Sequence, residues 1–336
     1  MREFFIWEVF PRKPLVSRLL LEMMGMILLA GCVLMIPTLL ISIAQSIEYD
    51  VYTAADLAEM ANRRGTFYLR NDLDLTEYGI WTPINFFGTL DGQGHTIQGV
   101  TITGYAGRRE GLFALMGGTV KNLHIDVNIQ ETITDRRHAQ RIEIGGLIGR
   151  LTGTVSRVCV SGQIQVTGDL QRGRSQAICV GGLVGHDQSG RISDCCSYAD
   201  VTLTLGKKGV SYYYACGGLA GAALQIRNSY AAGQVSLIEA EEIGLREENN
   251  TYIFCGGLVG DAVDVQHSYC CNLDDADSPY DLPWNSRGTY LTREEMRQRS
   301  SYEDWDFSTI WDISPTVNDG FPFLRFSDMN LTPSPL

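Results

Sequence analysis

The chain has 336 residues, with 36 Gly against 10 Pro and 20% charged side chains, a mixture too ordered for a disordered chain and too glycine-rich for an ordinary helical one. The net charge of −12 and pI of about 4.9 exclude a nucleic-acid partner, because phosphate binding needs a Lys/Arg surface that counterion release can reward. The length allows a large buried core, and repeated short strands with turns fit the composition.

In chain order, residues 1–22 form a cytoplasmic N-terminal segment carrying Arg2, Arg12, Lys13 and Arg18, and residues 23–44 contain no charged side chain. That length spans a bilayer, and the Lys/Arg bias places the bulk of the chain outside. The expectation is a single-pass membrane protein, its partner the membrane through 23–44. Cleavage after Ala44 would make it secreted, since Ser42-Ile43-Ala44 is an acceptable small-x-small site. Lipidation at Cys32 stays open through Leu29-Ala30-Gly31-Cys32, although the apolar stretch that follows is a poor lipoprotein tether.

Residues 45–104 are expected to hold an N-terminal cap and the first strands. Thr53 can cap a short helix that turns Leu57, Met60 and Ala61 inward. Phe67-Tyr68-Leu69 and Asn71 to Leu75 then read as strands, and Phe87 to Ile97 reads as strand, Asp-Gly turn, strand.

Residues 105–275 carry a repeat. Five segments begin Gly111-Leu112, Gly146-Leu147, Gly182-Leu183, Gly218-Leu219 and Gly257-Leu258, at steps of 35, 36, 36 and 39, and the last four close on Gly149, Gly185, Gly221 and Gly260. A second apolar anchor follows each (Val120, Val155, Ile192, Ile226, Val265), and the first four units add a third: Ile129, Ile164, Val201 and Val235. Three short apolar stretches per unit, broken by turn residues, mark strand-turn coils, which bury their apolar faces by stacking. The fold class expected is all-β, a parallel β-helix with short capping helices. The repeat glycines are expected to permit tight corners or close backbone approach. None has the following Lys-Ser/Thr pair of a phosphate loop.

Aligned on the second anchor, Cys159 and Cys196 fall in one column, continued by Tyr230 and Tyr269, and Cys216 matches Cys255. Stacked coils lie about 4.8 Å apart, which permits bridging. The uneven spacings and the total of nine cysteines favour unbonded core cysteines instead. No Cys-x-x-Cys pair suggests structural zinc.

Each unit also carries extra residues just before the next Gly pair. Insertions at one place in a repeat emerge on one side. That side would gather Arg136, Arg137, His138, Arg141, Arg172, Arg174, Lys207, Lys208, Tyr212, Tyr213 and Tyr214, then turn acidic at Glu239. It is the candidate interaction ridge, for a glycan or a surface protein. The acidic runs from Glu239 to Glu248 and from Asp274 to Asp281 read as solvated loops. Residues 276–336 form a C-terminal cap and tail, with a capping box at Thr292 to Glu295 and Trp305, Phe307, Trp311, Phe321 and Phe323 closing the last coil.

With these motifs the chain resembles the GLUG-repeat proteins, bacterial surface proteins named for Gly-Leu-x-Gly, a motif found also in the non-catalytic N-terminal part of immunoglobulin A-specific metallopeptidases. The resemblance runs over roughly residues 49–326 and includes Phe87-Gly88-Thr89-Leu90-Asp91-Gly92-Gln93-Gly94-His95-Thr96-Ile97. It implies a right-handed coil and an adhesin-like role at the cell surface, with no fixed chemistry. The chain departs from the family pattern at Ala114, and none of its five histidines forms the His-Glu-x-x-His pair of a metallopeptidase. The expectation is therefore a non-enzymatic binding protein without catalytic residues, cofactor or metal. The alternative is a carbohydrate-active enzyme, lyase or glycosidase, on the same scaffold.

Overall fold

The computed structural model describes residues 47–104, 107–133, 141–168, 177–205, 213–239, 252–271 and 288–326. They form a parallel β-solenoid of about four turns between the first and the fifth Gly-Leu segment. Three faces recur. The first holds the strands just before each Gly pair, Arg109–Glu110, Ile142–Gly145, Ala177–Gly181, Tyr213–Gly217 and Tyr252–Gly256, in one all-parallel sheet. The second holds the strands just after the Gly-Leu corner, Phe113–Met116, Ile148–Leu151, Val184–Asp187 and the beginnings of Ala220–Arg227 and Val259–Gln266. The third stacks Thr96–Thr103, the ends of Thr119–Ile133 and Thr154–Gly168, and then Asp200–Leu205 and Val235–Glu239.

The apolar columns keep the repeat register. Val120, Val155, Ile192, Ile226 and Val265 pair successively, as do Ile129, Ile164, Val201 and Val235. Their side chains fill one continuous core with Leu112, Leu147, Leu183, Leu219 and Leu258, each almost fully buried. Glycine is required where backbones touch: a Cβ at Gly149 would lie 2.7 Å from the Glu110 amide nitrogen, and one at Gly221 2.6 Å from that of Val180. The last glycine of each motif thus lets the second face press onto the first-face strand of the coil before it.

Two residues beyond each second anchor the chain turns through the left-handed region, at Asn122, Arg157, Asp194, Asn228 and His267, with φ between 46° and 55°. Asn and Asp tolerate that conformation best. The same corner in every coil is therefore made without glycine.

Helix α1 (Ala54–Glu59) starts with a reciprocal box in which the Asp56 amide donates to Thr53 Oγ1 and the Thr53 amide to Asp56, burying Leu57; Met60 beyond it is buried too. Helix α2 (Arg293–Met296) repeats the device with Thr292 and Glu295. Behind it Trp305, Phe307, Trp311 and Phe321 pack with Tyr230 and Tyr269 as a second apolar cluster, and Phe323 is half-buried.

Two expectations need correction. The single-pass membrane assignment finds no support: no helix among the described residues is long and apolar enough to cross a membrane, and residues 23–44 lie outside them. The cysteine column is bonded where unbonded cysteines were expected. Cys159 and Cys196 pair in register with Cα atoms 4.5 Å apart and are joined by a disulfide, because stacking brings together residues 37 apart in sequence. Cys216 and Cys255 also stack in register, their side chains hydrogen-bonded.

Candidate functional site

Where the first and second faces meet at the Gly-Leu corner, their outward side chains face each other in the angle between the two strands. The first face contributes a column Arg109, Glu143, Cys179, Ala215, Phe254, and the second contributes Leu115, Arg150, His186, Ala222, Asp261. In coils three to five this angle is closed by a small apolar cluster of Cys179, Ala215 and Ala222, flanked by Tyr213 and Phe254.

In coils one to three it holds a charged network. The Glu143 side chain is fully buried and receives four donors: Arg150 Nε at 2.6 Å and Nη2 at 2.6 Å, Arg109 Nε at 3.2 Å and His186 Nδ1 at 3.1 Å. Arg141 Nη1 lies 2.6 Å from His186 Nε2. A guanidinium only donates, so Nε2 accepts and the ring proton sits on Nδ1, directed at Glu143. The chain of bonds from Arg141 through His186 to Glu143 therefore runs in one direction. Burial pushes the Glu143 carboxyl up, but the bonds from His186 and Arg150 outweigh it and hold the group below its ordinary value of 4.5.

One coil further, the Tyr213 hydroxyl donates to Asp261 at 2.7 Å. Burial first, then that bond, pushes the phenol up, so it stays protonated. The Arg141 guanidinium stands 5.8 Å from the centre of the Tyr213 ring. The Tyr213 and Phe254 rings are 5.2 Å apart, and Tyr252 stacks on Phe254 at 6.4 Å while 60% exposed. Burial pushes the Cys179 thiol up to about 12, which leaves it inert as a nucleophile.

Of the ridge expected from sequence, Arg136, Arg137, Arg172, Arg174, Lys207, Lys208 and Tyr212 lie outside the described residues, as do the acidic runs Glu241–Glu248 and Asp274–Asp281. Arg141 and Tyr213 sit in the angle. Tyr214 is corrected: alternation along Tyr213–Gly217 turns it into the core, where it is 2% exposed. Sequence reading missed Glu143, Arg150 and His186, because a charged residue inside Ile142–Gly145 is legible as an outward side chain but its partners come from across the Gly-Leu corner, as Arg150 does, and from other coils, as Arg109 and His186 do.

A second polar group lies at the last coil, where His267, Glu303 and Asp304 bring one donor atom each within 4.8 Å of one another. Both carboxylates are more than three-quarters exposed, so water competes freely for any ion placed there.

These features define a parallel β-solenoid with a charged and aromatic outer angle. No family model matches the chain, and no curated protein matches it. Among solved structures it is similar to the crystal structure of a protein from Bacteroides ovatus described as a "putative immunoglobulin A1 protease", at 18% identity and a TM-score of 0.56, over 84% of this chain and 94% of that one. At that identity the likeness is one of fold.

Proposed function

We propose that the solenoid is a non-enzymatic, adhesin-like binding scaffold whose recognition surface is the outer angle around Glu143, and whose ligand is a glycan. One observation carries this reading: the angle offers fixed donors and an aromatic row, while its buried carboxylate is locked as an anion by Arg150, Arg109 and His186. A carboxyl held below its ordinary range is unsuited to donate a proton to a leaving group. This counts against the alternative glycosidase. The name of the structural neighbour raises peptidase chemistry, but zinc peptidases of that group rely on a His-Glu-x-x-His helix, which none of the five histidines of this sequence supplies. We further assign the coils to the right-handed GLUG type, on the recurrence of Gly-Leu-x-Gly at the corner where the two faces touch.

The full chain on a glycan array, paired with a reducing-end assay on every glycan retained, tests the proposal. Retention without new reducing ends is expected. Turnover would replace the reading with the enzymatic one, and an array on which nothing is retained would end it.

A further inference from the structure

The outer angle is uneven along its length, and the unevenness specifies a ligand. At one end three guanidiniums, Arg109, Arg141 and Arg150, converge on a single carboxylate and the His186 ring. The guanidiniums outnumber that carboxylate by two on a chain whose 27 Lys and Arg against 39 Asp and Glu leave it at −12 overall. Their side chains are not sealed: Arg109 is 35% exposed and Arg150 22%. The bidentate bond to buried Glu143 fixes the plane of Arg150, and the bond of Arg109 to Glu143 is made through its Nε. Among the described residues, the hydrogen bonds of Arg141 go through Nη1, to the His186 ring. Guanidiniums oriented in advance by a buried carboxylate form a rigid fork for a second oxyanion. At the other end stands Tyr252, 60% exposed and stacked on Phe254, which offers a face to a sugar ring, and Asp261, which repels an anion.

Resting on the proposed glycan-binding function, we infer that the ligand is an anionic glycan, a polyuronate or sulfated polysaccharide. It lies along the solenoid axis with an acidic group on Arg109 and Arg141 and an uncharged sugar face on Tyr252. Neutral glycans lack the group that the arginine end selects, and the aromatic end alone provides a weak contact.

The test compares polygalacturonate with its fully methyl-esterified form, and dextran sulfate with dextran, so that each pair differs in charge on one backbone. The full chain should bind the charged member at least about tenfold more tightly, since a charge-assisted bond is lost in the neutral one. The double variant R109Q/R141Q leaves the bidentate Arg150–Glu143 pair in place and should reduce that preference about tenfold or more, with a retained cooperative unfolding transition as the check on folding. Tyr252→Ala should weaken both members of a pair equally. Equal binding within both pairs would overturn the anionic assignment while leaving glycan binding standing, as would failure of both anions when neutral glycans are retained on the array. Charged-member binding that survives R109Q/R141Q in a folded protein would place the site elsewhere and overturn the inference. An empty array would sink both readings.

Discussion

The inside and the outside of the same Gly-Leu corner obey different rules. Inside, the columns hold one kind of residue from coil to coil, as in Leu112, Leu147, Leu183, Leu219 and Leu258. Outside, one register position passes through Arg109, Glu143, Cys179, Ala215 and Phe254. The backbone register is common to both sides, so the stack demands apolar bulk within and only a fit between facing partners without. The difference teaches that the repeat fixes the scaffold while the outer angle is free to specialise.

The sharpest way to break that comparison is to remove one partner from the buried network. Arg150→Ala leaves Glu143 ionised and buried, with only Arg109 and His186 facing it, and should cost about 3–5 kcal/mol, the usual penalty for orphaning a buried charge. Denaturant unfolding would measure it. Loss below about 1 kcal/mol would mean that water reaches the carboxylate and that the angle is looser than described. The substitution Ala222→Ser, in the same outward column but within its apolar cluster, should by contrast cost only about 1 kcal/mol, the lower end for a buried hydroxyl.

The disulfide comes next. Cys159→Ser opens a bridge between coils two and three across 37 residues and should destabilise the chain by about 2–4 kcal/mol on the chain-entropy estimate. The effect should be reproduced by reductant acting on the native sequence and should vanish when reductant is applied to the variant. An additional drop in the variant would implicate another cysteine pair, with Cys216 and Cys255 the first to examine.

Gly221→Ala sharpens the scaffold side. The new Cβ would meet the backbone nitrogen of Val180 at 2.6 Å, so the two faces must part locally, at a cost of about 1–3 kcal/mol. Gly104→Ala is a poor control because its φ is +81°. Ser236→Ala, on the outer side of the third face, is a better one and should change stability by under about 0.5 kcal/mol.

How much of this could be read from the sequence follows the same division. The apolar columns were legible because the anchors recur at nearly constant steps, and so was the cysteine column continued by Tyr230 and Tyr269. The Thr292 capping box was legible from Thr and an acid three residues later, and Thr53 was legible as a cap, though not the reciprocal bond of Asp56. The left-handed corner was legible in principle, through Asn122, Asp194 and Asn228 at one offset from the second anchor, but Arg157 and His267 obscure it. The Glu143 network was not: its partners sit 34, 7 and 43 positions away, and only the corner and the coil length together convert those separations into contact. Nor was the disulfide, since register allows a bond without requiring one.

The smallest effects should appear on titration, where two regions separate by pH window. His124, in the disulfide column beneath Phe326, is pushed by burial down to about 4 from its ordinary 6.5. The unfolded chain therefore takes up a proton there first, and stability should decline progressively as pH falls from 6.5 towards 4. Glu143 behaves differently. Its folded value lies below 4.5, so its contribution is complete above 4.5 and is lost only as pH falls below that, through the folded value. His124→Gln should therefore flatten the upper window and leave the lower limb, while Glu143→Gln should do the reverse. Unfolding free energies between pH 7 and pH 3 for the two variants decide it. If Glu143→Gln flattened the upper window instead, the assignment of the lower limb to Glu143 would fall.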